Sequence, residues 1–353
     1  MTEQKKGYFH RVTELSPTRL WINNVTPQEA RLSLKAGAVG CTQNPTYPHK
    51  MLTHPADSGW AYSVLDTILK DEKDDNRAQC LFQYALVSEI AREFLPLYKA
   101  SFGKQGFVTI QADPFHEQTA FILEWARLHT KEYPNIMVKI PATPAGLAAI
   151  ETLLAEGHPT LATEVMSVAQ MLDCAKIYEQ FLRKSERVPI FYFAHIPGIF
   201  DEYITSVVKR DNIDIPGDYI WQGGAAVAKK IYDIIVQNNY QIGLCSGGAR
   251  GLHHFTELVG APWSITINWA GAADKLIEQD PPVVQRALAP VPPAVIDALC
   301  EKIPDFRKAY EAKALKPQEY EAFGPVALFR SNFETGWRKA LELIAQRRKE
   351  KGL

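Results

Sequence analysis

No stretch of this chain approaches eighteen consecutive apolar residues, so no helix is expected to span a membrane. The opening, "MTEQKKGYFH", lacks the apolar core of a secretory signal. Charge of one sign is missing as well: 39 Lys and Arg stand against 40 Asp and Glu, a net charge of -1. A protein that tracks nucleic-acid phosphates normally carries a basic excess, so nucleic acid is not an expected partner. Cysteine is scarce. Cys41, Cys80, Cys174, Cys245 and Cys300 are odd in number, and none stands in a C-x-x-C pair. That argues against a cysteine zinc site or a disulfide framework and fits reduced thiols in a cytoplasmic protein. No internal repeat or low-complexity tract is present. No G-x-G-x-x-G follows the first apolar run, which weighs against an open, doubly wound dinucleotide fold.

What the sequence does contain is alternation. Short apolar runs fall at Arg19–Asn23, Ala38–Thr42, Phe107–Gln111, Ile136–Ile140, Pro159–Thr163, Pro189–Phe193, Gln241–Cys245 and Ser264–Asn268. Segments of helical period lie between them. In "TPAGLAAIETLLAEG", Thr143 caps, Pro144 suits the first turn, and Gly157 suits the stop. Ser167 caps the helix after the fifth run in the same way. Strands alternating with helices imply parallel pairing through crossovers, and eight of them fit an α/β fold of the (β/α)8 TIM-barrel type. Two stretches are left over: a helical insertion at 58–100 after the second strand, and a C-terminal helical extension at 281–353. The proline-rich "DPPVVQRALAPVPPAV" reads as a tether, since the segment beyond it is too short for a core of its own. A single domain over 1–353 is expected.

The fourth run, "MVKIP", places Lys139 among apolar residues. In a barrel, alternate side chains point inward and those near strand C-termini line the active site. An inward lysine loses hydration, its pKa falls, and the neutral amine becomes able to attack a ketone and form a Schiff base. A lysine paired with a buried carboxylate is the plainer alternative. The neighbouring strand ends carry uncharged hydrogen-bonding groups suited to a polyhydroxylated ligand: Asn23, then Thr42 and Asn44 in "CTQNPT", Gln111, Thr163, and His195 after the sixth run. His253-His254 raises the question of a metal, but neighbouring helical side chains diverge by about 100°, so no metal is assigned.

At this point the chain resembles a known family. "AGAVGCTQNPT", "MVKIPATPAGLAAIETLLAEG" and "HPTLATEVMSVAQ" are similar to the transaldolase family of (β/α)8-barrel aldolases, and "PTLATEVMS" is closest to its fructose-6-phosphate aldolase branch. The ending "FRSNFETGWRKALELIAQ" is similar to the C-terminal helix of the longer transaldolases. The resemblance implies that Lys139 forms a Schiff base with a ketose and that no metal or other cofactor is needed. Carbon–carbon cleavage then leaves an enamine, which either takes a proton or attacks a new aldehyde. It further implies that Thr163 holds a catalytic water and Asn44 binds substrate hydroxyls. Gln111 stands where transaldolases carry glutamate and the fructose-6-phosphate aldolase branch carries glutamine. A small sugar or sugar phosphate is the implied partner, and dimers are common in that family, so a homodimer is a possible assembly.

Two departures from the family pattern bear on chemistry. Asn23 replaces the strand-one aspartate, and an amide orients a hydroxyl without exchanging protons with it. His195 and Glu164 are the candidates to supply that proton, with strand alternation expected to point Glu164 away from the lysine. Gly198 replaces a phosphate-binding arginine. In "CSGGARG", Ser246 or Arg250 is then the residue that meets an anion, helped by a glycine-rich turn. Besides a transaldolase-like aldolase or transferase, the sequence leaves open a Schiff-base lyase on a non-phosphorylated sugar and a non-catalytic sugar-binding barrel.

Overall fold

The computed structural model describes residues 6–185 and 188–353. Eight parallel strands close into a barrel in chain order: β1 Arg19–Asn23, β2 Ala38–Gln43, β3 Phe107–Ile110, β4 Ile136–Pro141, β5 Thr160–Val165, β6 Phe191–His195, β7 Gly243–Ser246 and β8 Trp263–Asn268. β8 pairs with β1 from Arg19↔Ser264 to Asn23↔Asn268, which completes the ring. This is the (β/α)8 barrel expected from the alternation. Both expected caps form: the Thr143 side chain accepts the Gly146 N–H, and Ser167 accepts that of Gln170. Inside the barrel, Trp21 of β1 meets Tyr192 of β6 with ring centroids 5.6 Å apart. One strand period further on, Asn23 and Ala194 line the cavity at the barrel's C-terminal end. Odd residues of β1 and β4 and even residues of β2 and β6 therefore point inward. Their neighbours Ile22, Val138, Ile140 and Phe193 are buried in the core cluster shared with the surrounding helices.

The helices Ser58–Asp71 and Asp75–Ala100 form the insertion after β2. Asp74 caps the second, accepting the Arg77 N–H. The C-terminal extension ends in the 28-residue helix Gly324–Lys351, which packs on the helix Tyr47–Thr53, on the insertion and on Pro197–Asp211. A methyl group on Gly336 would lie 2.5 Å from Thr46 Cγ2, so this contact requires glycine. Further along, Arg347 grips Asp66 with Nε at 2.7 Å and Nη2 at 2.8 Å. Lys351 reaches the same carboxylate at 3.1 Å, and Arg348 meets Asp75 at 2.7 Å. Among the described residues, no helix is long and apolar enough to cross a membrane.

Candidate active site

Lys139 projects from β4 toward the barrel axis and is 5% exposed. Its Nζ donates to Asn44 Oδ1 at 2.5 Å and lies 5.0 Å from the Phe333 ring centroid and 5.7 Å from that of Phe329. Both rings come from the C-terminal helix, so the lysine is roofed by a segment nearly two hundred residues away in sequence. Burial brings its pKa down to about 8, although the Glu164 carboxylate pulls the other way. The amine opens onto a cavity of about 810 Å³ lined by Asn23, Thr42, Asn44, Ser246, Arg250 and others.

A chain of amides fixes the geometry beside it. Asn44 Nδ2 donates to Asn23 Oδ1 at 2.8 Å, the Thr42 hydroxyl donates to the same oxygen at 2.9 Å, and Asn23 Nδ2 donates to Asn268 Oδ1 at 2.8 Å. Asn268, at the end of β8, belongs to this network. Its place at a strand terminus was the available signal. The buried Gln83 of the insertion helix Asp75–Ala100 donates to the backbone carbonyls of Gln111 (2.9 Å) and Asn44 (3.2 Å). It thus holds the ends of β2 and β3 in place, and only the structure identifies that role.

The end of β5 departs from regular alternation. Register with β6 shifts between Ala162 and Val165, and Glu164 takes a φ of +61°. This bulge reverses the expected direction of Glu164. The carboxyl turns inward, where its Oε1 accepts from Gln111 Nε2 at 3.3 Å and its charge acts on Lys139. Thr163 is fully buried beside it, and its hydroxyl has no hydrogen-bond partner. Gln111 Oε1 and Glu164 Oε2 are likewise buried and unpartnered. Lys139 and Gln111 also border a second cavity of about 20 Å³ with Glu117, room for a single water. Glu117 pairs with Arg330 of the C-terminal helix at 2.9 Å.

His195 lies elsewhere. β6 runs two residues past its expected end, and because Ala194 points inward, His195 points out. Its Nδ1 meets Val165 O at 2.8 Å and its Nε2 meets Gly224 O at 3.0 Å, and burial lowers its pKa. The ring ties β5 to the helix Gly223–Asn238 and is turned away from the lysine's cavity.

At the far end of the large cavity, Gly198 admits no side chain. A Cβ there would lie 2.2 Å from Gly248 O and 2.8 Å from Arg250 N. The 247–251 loop occupies the space an arginine side chain would need. Ser246 is buried with its hydroxyl unpartnered, and the exposed Arg250 guanidinium contacts Glu202 at 2.6 Å. Contrary to the divergence expected of His253 and His254, their rings stand 3.9 Å apart at the start of a four-residue helix. Their donor atoms gather with Asp201 within 4.8 Å. His254 Nδ1 accepts the N–H groups of Arg250 (3.2 Å) and Gly251 (3.1 Å), so Nε2 carries the hydrogen and donates to Asp201 Oδ2 at 3.0 Å. In that tautomer His254 has no free lone pair for a cation. Asp201 Oδ1 accepts from Gly224 N–H at 2.6 Å, and the group works as a clamp on the loop.

Residues 20–301 match the model of the family described as transaldolase/fructose-6-phosphate aldolase. The chain is 23% identical over 254 residues to a transaldolase of Thiobacillus denitrificans, covering 66% of this chain and 68% of that one. It is 27% identical over 220 residues to a transaldolase of Saccharopolyspora erythraea (59% of each chain). It is also 27% identical over 222 residues to one of Neisseria gonorrhoeae, covering 61% of this chain and 62% of that one. The chain thus spans about six-tenths of the length of these relatives. With a barrel closed in this order, a buried lysine on β4 and a family match over most of its length, the chain belongs to the transaldolase/fructose-6-phosphate aldolase family.

Proposed function

We propose that this protein makes or breaks a carbon–carbon bond in a ketose or ketose-like substrate through a Schiff base on Lys139. The observation that carries the reading is the lysine itself, dehydrated inside the barrel with its amine on a cavity of about 810 Å³. A pKa near 8 leaves an appreciable fraction of neutral amine at physiological pH. Asn44, Asn23 and Thr42 offer donors and acceptors to the hydroxyls of a sugar, and the unpartnered Thr163 hydroxyl suits a water that leaves and re-enters during imine exchange. Gln111 orients groups without exchanging protons. Ser246 and the loop up to Arg250 meet the substrate's far end.

A second reading, a substrate without a terminal phosphate, is favoured by one observation. The loop fills the space at Gly198, and Arg250 is already paired with Glu202. An anion at that end has to compete with a carboxylate.

Borohydride trapping with a panel of phosphorylated and plain ketoses, read by intact mass and peptide mapping, tests both readings. The expected result is a reduced adduct on Lys139, strongest with the ketose whose far end the loop accepts. Binding of sugars without any adduct would instead mean a sugar-binding barrel in which Lys139 is only a buried amine.

A further inference from the structure

Among the described residues, six non-glycine positions have positive φ: Asn24, Phe102, Glu164, Asn212, Asn239 and Asp280. Four are Asn or Asp, which tolerate that backbone, and Phe102 is 92% exposed in a turn. Glu164 is the one of the six that is fully buried. Holding a glutamate in this conformation costs on the order of 1 kcal/mol or more. Burying its carboxyl with one oxygen unpartnered adds to that. Two penalties at one position, beside the reactive amine, call for a chemical explanation.

The charged surroundings supply one. The charges of Arg330 on the C-terminal helix, of Lys139 on β4 and of Glu321 act on Glu164, and those of Glu164, Arg330, Glu321 and Glu334 act on Glu117, which follows β3; Glu164 and Cys245 of β7 act on Lys139. Gln111 bonds Glu164 and borders the cavity that Glu117 and Lys139 share. Moving a proton from the ammonium to the carboxylate inside this buried cluster, through the small cavity that Lys139 and Gln111 border, neutralises both groups without changing the net charge. Low dielectric makes such an exchange easier than releasing the proton to bulk water.

We propose that Glu164 takes the proton Lys139 must lose before it attacks a carbonyl and later returns a proton to the hydroxyl that leaves. This rests on the Schiff-base reading above. In the first step the ammonium becomes an amine and the carboxylate a carboxylic acid. The amine lone pair then forms the C–N bond, the carbonyl π pair moves to oxygen, and one proton passes from nitrogen to that oxygen. In the last step the nitrogen lone pair expels the hydroxyl, which takes the Glu164 proton and departs as water. An iminium beside a carboxylate remains. Burial, followed by the Glu164 charge, raises Glu117 to about 9 despite Arg330, so the two carboxyls are not both ionised at neutral pH.

The test is Glu164→Gln in the full chain, with kcat/KM for the trapped ketose measured across pH. The plateau should fall about 100-fold, in the range of a lost proton-transfer partner. The acid limb should also move to lower pH, because the charge that favoured the ammonium is gone. A neighbour that acts by charge alone would move the limb and leave the plateau within threefold of wild type. The double variant Gln111→Glu/Glu164→Gln exchanges amide and carboxyl across one hydrogen bond and should recover at least tenfold. If Glu164→Gln does not fold, the double variant compared with wild type carries the test alone, and a plateau near wild type is then the supporting result. Glu164→Gln with kcat/KM within threefold overturns the proposal whatever the limb does, as does a loss that the exchange fails to restore. Wild-type trapping separates the two levels: no adduct on Lys139 sinks the Schiff-base reading, whereas an adduct with an indifferent Glu164→Gln sinks only this one.

Discussion

At Lys139, what suits the amine for chemistry works against the fold. Its folded pKa of about 8 lies below the 10.5 of a free lysine, so between these values the unfolded chain binds more protons than the folded one. Stability therefore rises with pH across that window, and the full burden, on the order of 3 kcal/mol before compensation, is present below pH 8. Lys139→Met should abolish trapping and yet melt higher than wild type at pH 7, by ~1–2 kcal/mol once the lost Asn44 bond is allowed for. The gain should shrink toward zero near pH 10.5. Paired thermal denaturation of the two proteins at pH 7 and pH 10 checks this. A variant less stable at pH 7 would mean that Lys139 is well compensated where it sits.

The elements around the barrel place the lysine's environment. Gln83 of the insertion fixes the carbonyls of Asn44 and Gln111, while the C-terminal helix brings Phe329, Phe333 and Arg330 over the same point. Gly336→Val should lift that helix from Thr46, destabilise the protein by ~1–3 kcal/mol as overpacked contacts do, and rehydrate the amine. Trapping at pH 7 should then slow and its acid limb rise toward the ordinary lysine range, with barrel circular dichroism retained. An unchanged limb would show that the helix is no roof. Much of this frame is legible in the sequence. Apolar runs and capping residues locate the strands, β1 to the residue, and alternation alone points Lys139 inward. Three features are not legible there. A bulge reverses Glu164, a two-residue shift of β6 leaves His195 facing outward, and a four-residue helix folds His253 onto His254. The first is a local break in period, which pattern reading assumes away, and the other two turn on where an element starts and stops. The roles of Gln83 and Arg330 depend on packing between segments far apart in sequence, which no local pattern encodes.

For the molecule as a whole, the proposed reaction centre draws on four of the eight strands. β1, β2, β4 and β8 each contribute a side chain to one hydrogen-bonded run from Asn268 to Lys139, with Asn44 just beyond β2. The roof over that run is joined to the insertion by Trp337, which packs with Cys80 and bonds Asn76, and also by charge: Arg347 and Lys351 on Asp66, and Arg348 on Asp75. Such pairs contribute about 0–1 kcal/mol each and weaken as added ions shorten the Debye length from about 10 Å at 0.1 M to about 3 Å at 1 M. Dissolved salt should therefore act as a control on the amine buried beneath the helix. Raising sodium chloride toward 1 M is expected to move the acid limb of trapping upward in the wild type. A variant in which Asp66 and Asp75 are both replaced by asparagine should start from that loosened state and respond little. An enzyme whose nucleophile is dried by a partly charge-fastened roof would then carry, in its pH profile, a record of the ionic strength around it.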